Sequence, residues 1–106
     1  DLSIYGDGNQ TRDFISVNDV VRYYEIFLKS KNLNGTYNIG TGIPISINKL
    51  ADIFISYNRN IKKNYLPKKS GDAISSFADM LKTNKKTKYK YKDNLRNIVK
   101  ELITNA

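Results

Sequence analysis

Apolar residues recur at helical spacing in three stretches of this chain, and shorter apolar runs between them read as strands. Val20, Val21, Tyr24, Phe27 and Leu28 fall within residues 18–30 and predict a helix whose single apolar stripe faces a core. Ile47, Leu50, Ile53 and Phe54 predict a second helix, opened by Pro44 and Ser46 and ended by Asn58 to Asn60. Leu95, Ile98, Val99, Leu102 and Ile103 mark a last amphipathic helix. The run Leu2 to Tyr5, the β-branched and aromatic residues 36–39 after a turn at Gly35, and residues 61–66 read as extended or strand segments. With Asp79 capping a further short helix, the pattern predicts an α/β chain of short strands and three to four helices, α+β if it stands alone.

Composition narrows the chemistry. At 106 residues with 40% hydrophobic content, the chain can bury one modest core and is read as a single domain over 1–106. It has no cysteine and no histidine, which removes disulfides, thiolate metal sites and the commonest general base, so no metal ligand is assigned. No apolar run reaches membrane-spanning length and no signal-peptide pattern occurs, so cytoplasmic residence without membrane contact is expected.

The net charge of +8 is concentrated in one tract, where Lys82, Lys85, Lys86, Lys88, Lys90 and Lys92 surround Tyr89 and Tyr91. Lysines interleaved with aromatics suit a basic polyanion-binding module that tracks phosphates and stacks bases. A solvated basic connection is the ordinary alternative. The scarcity of arginine, the better base reader, makes nucleic acid the weaker reading.

The most informative segment runs from Tyr5 to Val21. Gly6 and Gly8 flank Asp7 and permit a reversal after Leu2 to Tyr5, Arg12 enters an extended stretch through Val17, and Asn18 stands as helix N-cap with Asp19 in the first turn. Neither Gly6-Asp7-Gly8 nor Gly40-Thr41-Gly42 opens a helix at the offset of a dinucleotide loop. Tyr65 and Lys69 satisfy a Tyr-x-x-x-Lys spacing, but Pro67 between them forbids the helix interior that would stack them on one face, so no catalytic residue is assigned.

This segment resembles the GDGxxxRDFxxVxDVV signature of extended short-chain dehydrogenase/reductase enzymes acting on nucleotide sugars, the NAD-dependent epimerase/dehydratases and above all the UDP-glucose and UDP-N-acetylglucosamine 4-epimerases. Residues 35–42 resemble the family's YNIGTG strand and turn, Ser46 to Ala51 its SIxxLA helix start, and Pro67 to Asp72 with Ala78-Asp79 its PxRxGDxxxxxAD element. The upstream glycine-rich loop and catalytic Tyr-x-x-x-Lys helix of such enzymes have no counterpart here. The resemblance therefore implies about the last third of an enzyme: a nucleotide-sugar-binding subdomain without the Rossmann domain, inactive alone and binding no NAD. The intact enzyme would be a homodimer that holds NAD in the N-terminal domain this chain lacks. In that setting helix 18–30 and strand 36–39 lean on the cofactor domain, and in isolation they would expose apolar surface or serve as a stand-alone interaction module.

Residue by residue, the resemblance implies that Arg12 contacts the diphosphate of a UDP-sugar, with an ion pair to Asp13 or Asp19 as the purely structural alternative. Lys69 stands where the family has a second phosphate-binding arginine, keeping the charge without the bidentate fork, so that either Lys69 acts as a point charge or Lys68 shares the task. Asp72 aligns with the acid beside the ribose, or else forms an Asx-turn after Gly71. Ser3 and Tyr5 lie on the uracil-binding edge, and Ser76 holds the gate position that decides whether an N-acetyl group fits. Asn38 and Gly40 are assigned to a turn. Dehydratases and reductases of the family share these features, so the reaction itself stays open at this stage.

Overall fold

The computed structural model describes residues 1–31 and 34–105. Its elements are β1 (Leu2–Tyr5), β2 (Thr11–Arg12), α1 (Val17–Lys29), β3 (Ile45–Ser46), α2 (Ile47–Tyr57), β4 (Lys63–Leu66), α3 (Leu81–Thr87) and α4 (Leu95–Thr104). β1 pairs in parallel with β4, Leu2 opposite Lys63 through Tyr5 opposite Leu66, and β2 pairs antiparallel with β3. A parallel pair needs a long crossover, and α1 and α2 lie within it.

The expected α/β character and four helices are present among the described residues, with four local corrections. The N-cap of α1 is Ser16, not Asn18: Ser16 is extended, its Oγ accepts the Asp19 N–H at 3.1 Å, and it donates in return to the Asp19 carboxylate at 3.0 Å. Residues 36–39 form no strand. Without a paired strand, their carbonyls are taken by α3 side chains, Lys82 Nζ donating to Thr36 O at 2.7 Å and Thr83 Oγ1 to Asn38 O at 2.6 Å. The N-cap of α3 is Met80, one residue past Asp79, although the Asp79 carboxylate still accepts the Leu81 N–H at 3.1 Å. The other expected ends hold: Ser46 caps α2 and Asn58 closes it.

The fourth correction concerns burial on α1. Its fully buried positions are Asp19 and Tyr23, whereas Val21, Tyr24 and Leu28 from the expected stripe join Val17 on an exposed line, with Leu28 86% exposed. The inner side is an aromatic stack. Tyr23 meets Tyr89 edge-on at 4.9 Å between ring centres, and Phe27 lies 5.3 Å from Tyr37. Besides Tyr23, the buried apolar residues are Ile4, Ala51, Ile53, Met80 and Val99. That thin core suits the shape: the chain is a slab of 49 × 33 × 16 Å with a radius of gyration of 16.2 Å, against about 13 Å expected for a compact domain of this length.

Candidate functional site

The end of β1, the turn after it and the segment following β4 enclose a cavity of about 370 Å³, lined by Tyr5, Gly6, Asp7, Asn9, Gln10, Lys68, Asp72, Ala73 and Ile74. Its wall is built from the turn chemistry of the sequence. Gly6 and Gly8 take φ of +84° and +78°, which reverses the chain, and the Asp7 carboxylate accepts the Asn9 N–H at 2.9 Å. Asn48 of α2 braces the turn by donating to the Asp7 carbonyl at 2.9 Å while its own Oδ1 accepts the Tyr65 hydroxyl at 2.7 Å. Gln10 folds back to donate to the Tyr5 carbonyl at 2.9 Å.

Of the residues singled out in the sequence, Tyr5, Lys68 and Asp72 line this cavity, while Arg12 and Lys69 lie outside the lining and touch Asp72 and Tyr5. Arg12 Nη2 donates to Asp72 Oδ1 at 2.5 Å, and Nη1 to the Thr11 carbonyl at 2.7 Å, so the guanidinium is held across from β2 to the loop after β4. Its ion partner is thus Asp72, sixty residues away, rather than Asp13 or Asp19. The Lys69 ammonium lies 4.1 Å from the centre of the Tyr5 ring, a cation-π contact. Ser3 shares the exposed face of β1 with Tyr5, opposite buried Ile4, but does not line the cavity. Ser76 is outside the lining too: it is exposed, and its N–H donates to the Thr11 carbonyl at 3.1 Å.

Two carboxylates that the sequence reading treated as minor organise the surroundings. Asp13 accepts from Thr41 N–H at 3.0 Å, Thr41 Oγ1 at 2.6 Å, Gly42 N–H at 2.9 Å and Ala78 N–H at 3.2 Å, joining the segment after β2 to two distant loops. Partial burial alone would raise its pKa, but these donors outweigh it and hold the group below its usual value. Asp19 accepts from Tyr89 OH at 2.7 Å and from the N–H groups of Lys92 at 2.8 Å and Asp93 at 3.0 Å. Burial again opposes and the hydrogen bonds prevail, lowering Asp19, while burial and the neighbouring carboxylate push the Tyr89 phenol up to about 12. The lysine tract is therefore half helix and half a loop pinned by Asp19. Tyr89 is packed on Tyr23 and is not a free face for base stacking. The partly buried Gly40-Thr41-Gly42 turn beside Asp13 is the one sequence signal that could have marked that acid. Nothing in the pattern marks Gln10 or Asn48.

Tyr65 lies in β4 with its hydroxyl on Asn48, while Lys69 is turned to Tyr5, so the two form no stacked pair. The turn at Gly6 and Gly8 delivers the chain into β2 and that at Gly40 and Gly42 into β3, neither directly into a helix N-terminus. Among the described residues no group of three or more acidic side chains could hold a metal ion, and no helix is long and apolar enough to cross a membrane.

The model of the NAD dependent epimerase/dehydratase family matches residues 1–40, the segment that carries the turn, Arg12 and Asp13. A UDP-N-acetylglucosamine 4-epimerase from Methanobrevibacter ruminantium, solved with UDP-N-acetylmuramic acid, superposes on 99% of this chain and 35% of its own length, with a TM-score of 0.83 and 31% identity. This chain belongs to the NAD-dependent epimerase/dehydratase family. Among other members, the UDP-glucuronic acid 4-epimerase of Bacillus cereus, solved with UDP-glucuronic acid and NAD, is 27% identical with a TM-score of 0.84 over 92% of this chain and 32% of its own. A putative UDP-glucose 4-epimerase of Methanocaldococcus jannaschii is 52% identical over 50 residues, 47% of this chain and 16% of that protein. The chain spans about a third or less of the length of the relatives it matches.

Proposed function

We propose that this chain is the nucleotide-sugar-binding part of an NAD-dependent sugar 4-epimerase, gripping the diphosphate, ribose and base of a UDP-hexose. The observation that carries the reading is the meeting of Arg12 and Asp72 beside the cavity whose wall includes Tyr5 and Lys68. A nucleoside diphosphate demands that combination: a guanidinium whose fork and permanent charge match phosphate oxygens, an acceptor for ribose hydroxyls, and an aromatic edge for the base. Lys68 and Lys69 add point charges next to it. Oxidation at C4 and return of the hydride belong to NAD held by residues outside this chain, so its own contribution is grip, orientation and sugar selectivity. Ser76, small and exposed, serves as the gate that admits an N-acetyl group.

The test is calorimetry of UDP binding to the polypeptide that carries this chain. Arg12→Ala should weaken UDP by about 2 to 4 kcal/mol, because a phosphate loses a charge-assisted fork. An unchanged affinity would reduce Arg12 to a structural tie for the loop after β4.

A further inference from the structure

Two contacts to the cavity-lining residues Tyr5 and Asp72 come from opposite ends of one turn. Lys69 and Asp72 are its first and last residues, closed by the Asp72 N–H donating to the Lys69 carbonyl at 3.4 Å, with Gly71 in the third position at φ +81°. From one end the ammonium covers the Tyr5 ring at 4.1 Å, and from the other the carboxylate takes the Arg12 guanidinium at 2.5 Å. Each contact occupies a place suited to part of a nucleotide: a cation on the ring face where a planar base would stack, and a carboxylate on the fork where a phosphate oxygen would sit.

We propose that the Lys69–Asp72 turn is an internal latch that a nucleoside diphosphate displaces on binding, with Asp72 competing against the diphosphate for Arg12; the inference rests on the nucleotide reading above. Arg12 is also held by the Thr11 carbonyl at 2.7 Å, so the guanidinium keeps its place whichever anion it meets, and the turn is the part that moves. Nothing lies within 4 Å of a Cβ built on Gly71, which leaves the turn free on its outer side. The pair is partly open to water, 27% exposed on Arg12 and 35% on Asp72, so the latch tunes affinity by a small factor and does not block the site. Release also has a second effect: once the diphosphate has Arg12, the freed Asp72 carboxylate is available to ribose hydroxyls, so the competitor for one half of the ligand becomes the acceptor for the other. A bare diphosphate meets only the competition, whereas a nucleotide meets both.

Inorganic pyrophosphate and UDP separate these effects in calorimetry on the polypeptide carrying this chain. Asp72→Asn should bind pyrophosphate about fivefold tighter while UDP gains less or weakens, lowering the ratio of UDP to pyrophosphate affinity. Glu101→Gln, which adds the same unit of charge on α4, should leave pyrophosphate affinity unchanged, and adding Arg12→Ala to Asp72→Asn should remove the gain. Lys69→Met probes the other end with uridine, which carries no phosphate and should bind about twofold tighter. If the unaltered protein binds UDP but Asp72→Asn holds pyrophosphate no more tightly, the latch is wrong and the nucleotide reading stands. An unaltered protein that binds neither UDP nor pyrophosphate overturns the nucleotide reading and the latch with it.

Discussion

Asp13→Ala should cost this chain about 3 kcal/mol at neutral pH. The carboxylate accepts from the backbone of Thr41, Gly42 and Ala78 and from the Thr41 hydroxyl, and alanine leaves all four donors without it. A hydrogen bond to a charged acceptor contributes about 1.5 to 3 kcal/mol when shielded. Asp13 is only half-buried, so water replaces part of each bond, and the sum falls to about 3 kcal/mol rather than twice that. For a domain of this size that is a large share of the total stability and lowers Tm by on the order of 15 °C. Urea denaturation followed by far-UV circular dichroism measures it, with Asp13→Asn as the milder variant that keeps one acceptor oxygen. The pH dependence supplies an independent check. The folded-state pKa of Asp13 lies below the ordinary 3.8, so its contribution is complete above that value and is lost as pH falls through the folded pKa. The gap between the parent and Asp13→Ala should therefore narrow below pH 3.8. A cost under about 1 kcal/mol at pH 7, or a gap that stays constant on acidification, would refute the hub assigned to this carboxylate.

Three further outcomes follow from the same geometry. Tyr89→Phe keeps the ring against Tyr23 and loses only the bond to Asp19, so thermal melting should show a loss of about 1 to 2 kcal/mol, with proteolysis rising first in the loop 88–93. Gly8 and Gly71 share nearly the same φ, +78° and +81°, but a Cβ on Gly8 collides with the Asn48 amide while one on Gly71 meets open space. Gly71→Ala should thus cost about 1 kcal/mol and Gly8→Ala about 3 kcal/mol by urea denaturation, and equal costs would mean that Asn48 does not seat the turn. If the proposed function holds, the polypeptide that carries this chain should turn over UDP-N-acetylglucosamine, and Ser76→Tyr should depress its kcat/KM relative to UDP-glucose by tenfold or more; an unchanged ratio removes Ser76 from the gate.

What could be read in the sequence divides along physical lines. The start of α2 was legible because it rests on local chemistry: Ser46 Oγ accepts the Lys49 N–H at 3.0 Å, within three residues. Ser16 follows the same rule and was missed in favour of Asn18, because both are good caps two residues apart and only the backbone decides between them. Arg12, Lys69, Tyr5 and Asp72 were singled out through motif resemblance, which also carries spatial information that spacing alone does not, since Arg12 and Asp72 are in contact though sixty residues apart. Asp13, Asn48 and Gln10 act through bonds to distant backbone, which leaves no periodicity to read.

The misreading of α1 and of residues 36–39 has one cause. Hydrophobic periodicity reports how much apolar surface a segment offers, not how much of it the rest of the chain can cover. α1 offers two apolar sides. Tyr23 and Phe27 find Tyr89 and Tyr37 on one of them, and Val17, Val21, Tyr24 and Leu28 form the other, exposed at spacings of four, three and four residues. A slab 16 Å thin has no second layer to lay over that line, so the stripe that reads as one in sequence splits into a packed half and a solvent-facing half. Residues 36–39 meet the same shortage in hydrogen bonding: their composition suits a strand, but the described residues bring no strand edge beside them, and Lys82 and Thr83 donate to their carbonyls instead. Burial in the sheet and burial on α1 therefore fail together and on neighbouring segments, as Phe27 against Tyr37 places them side by side.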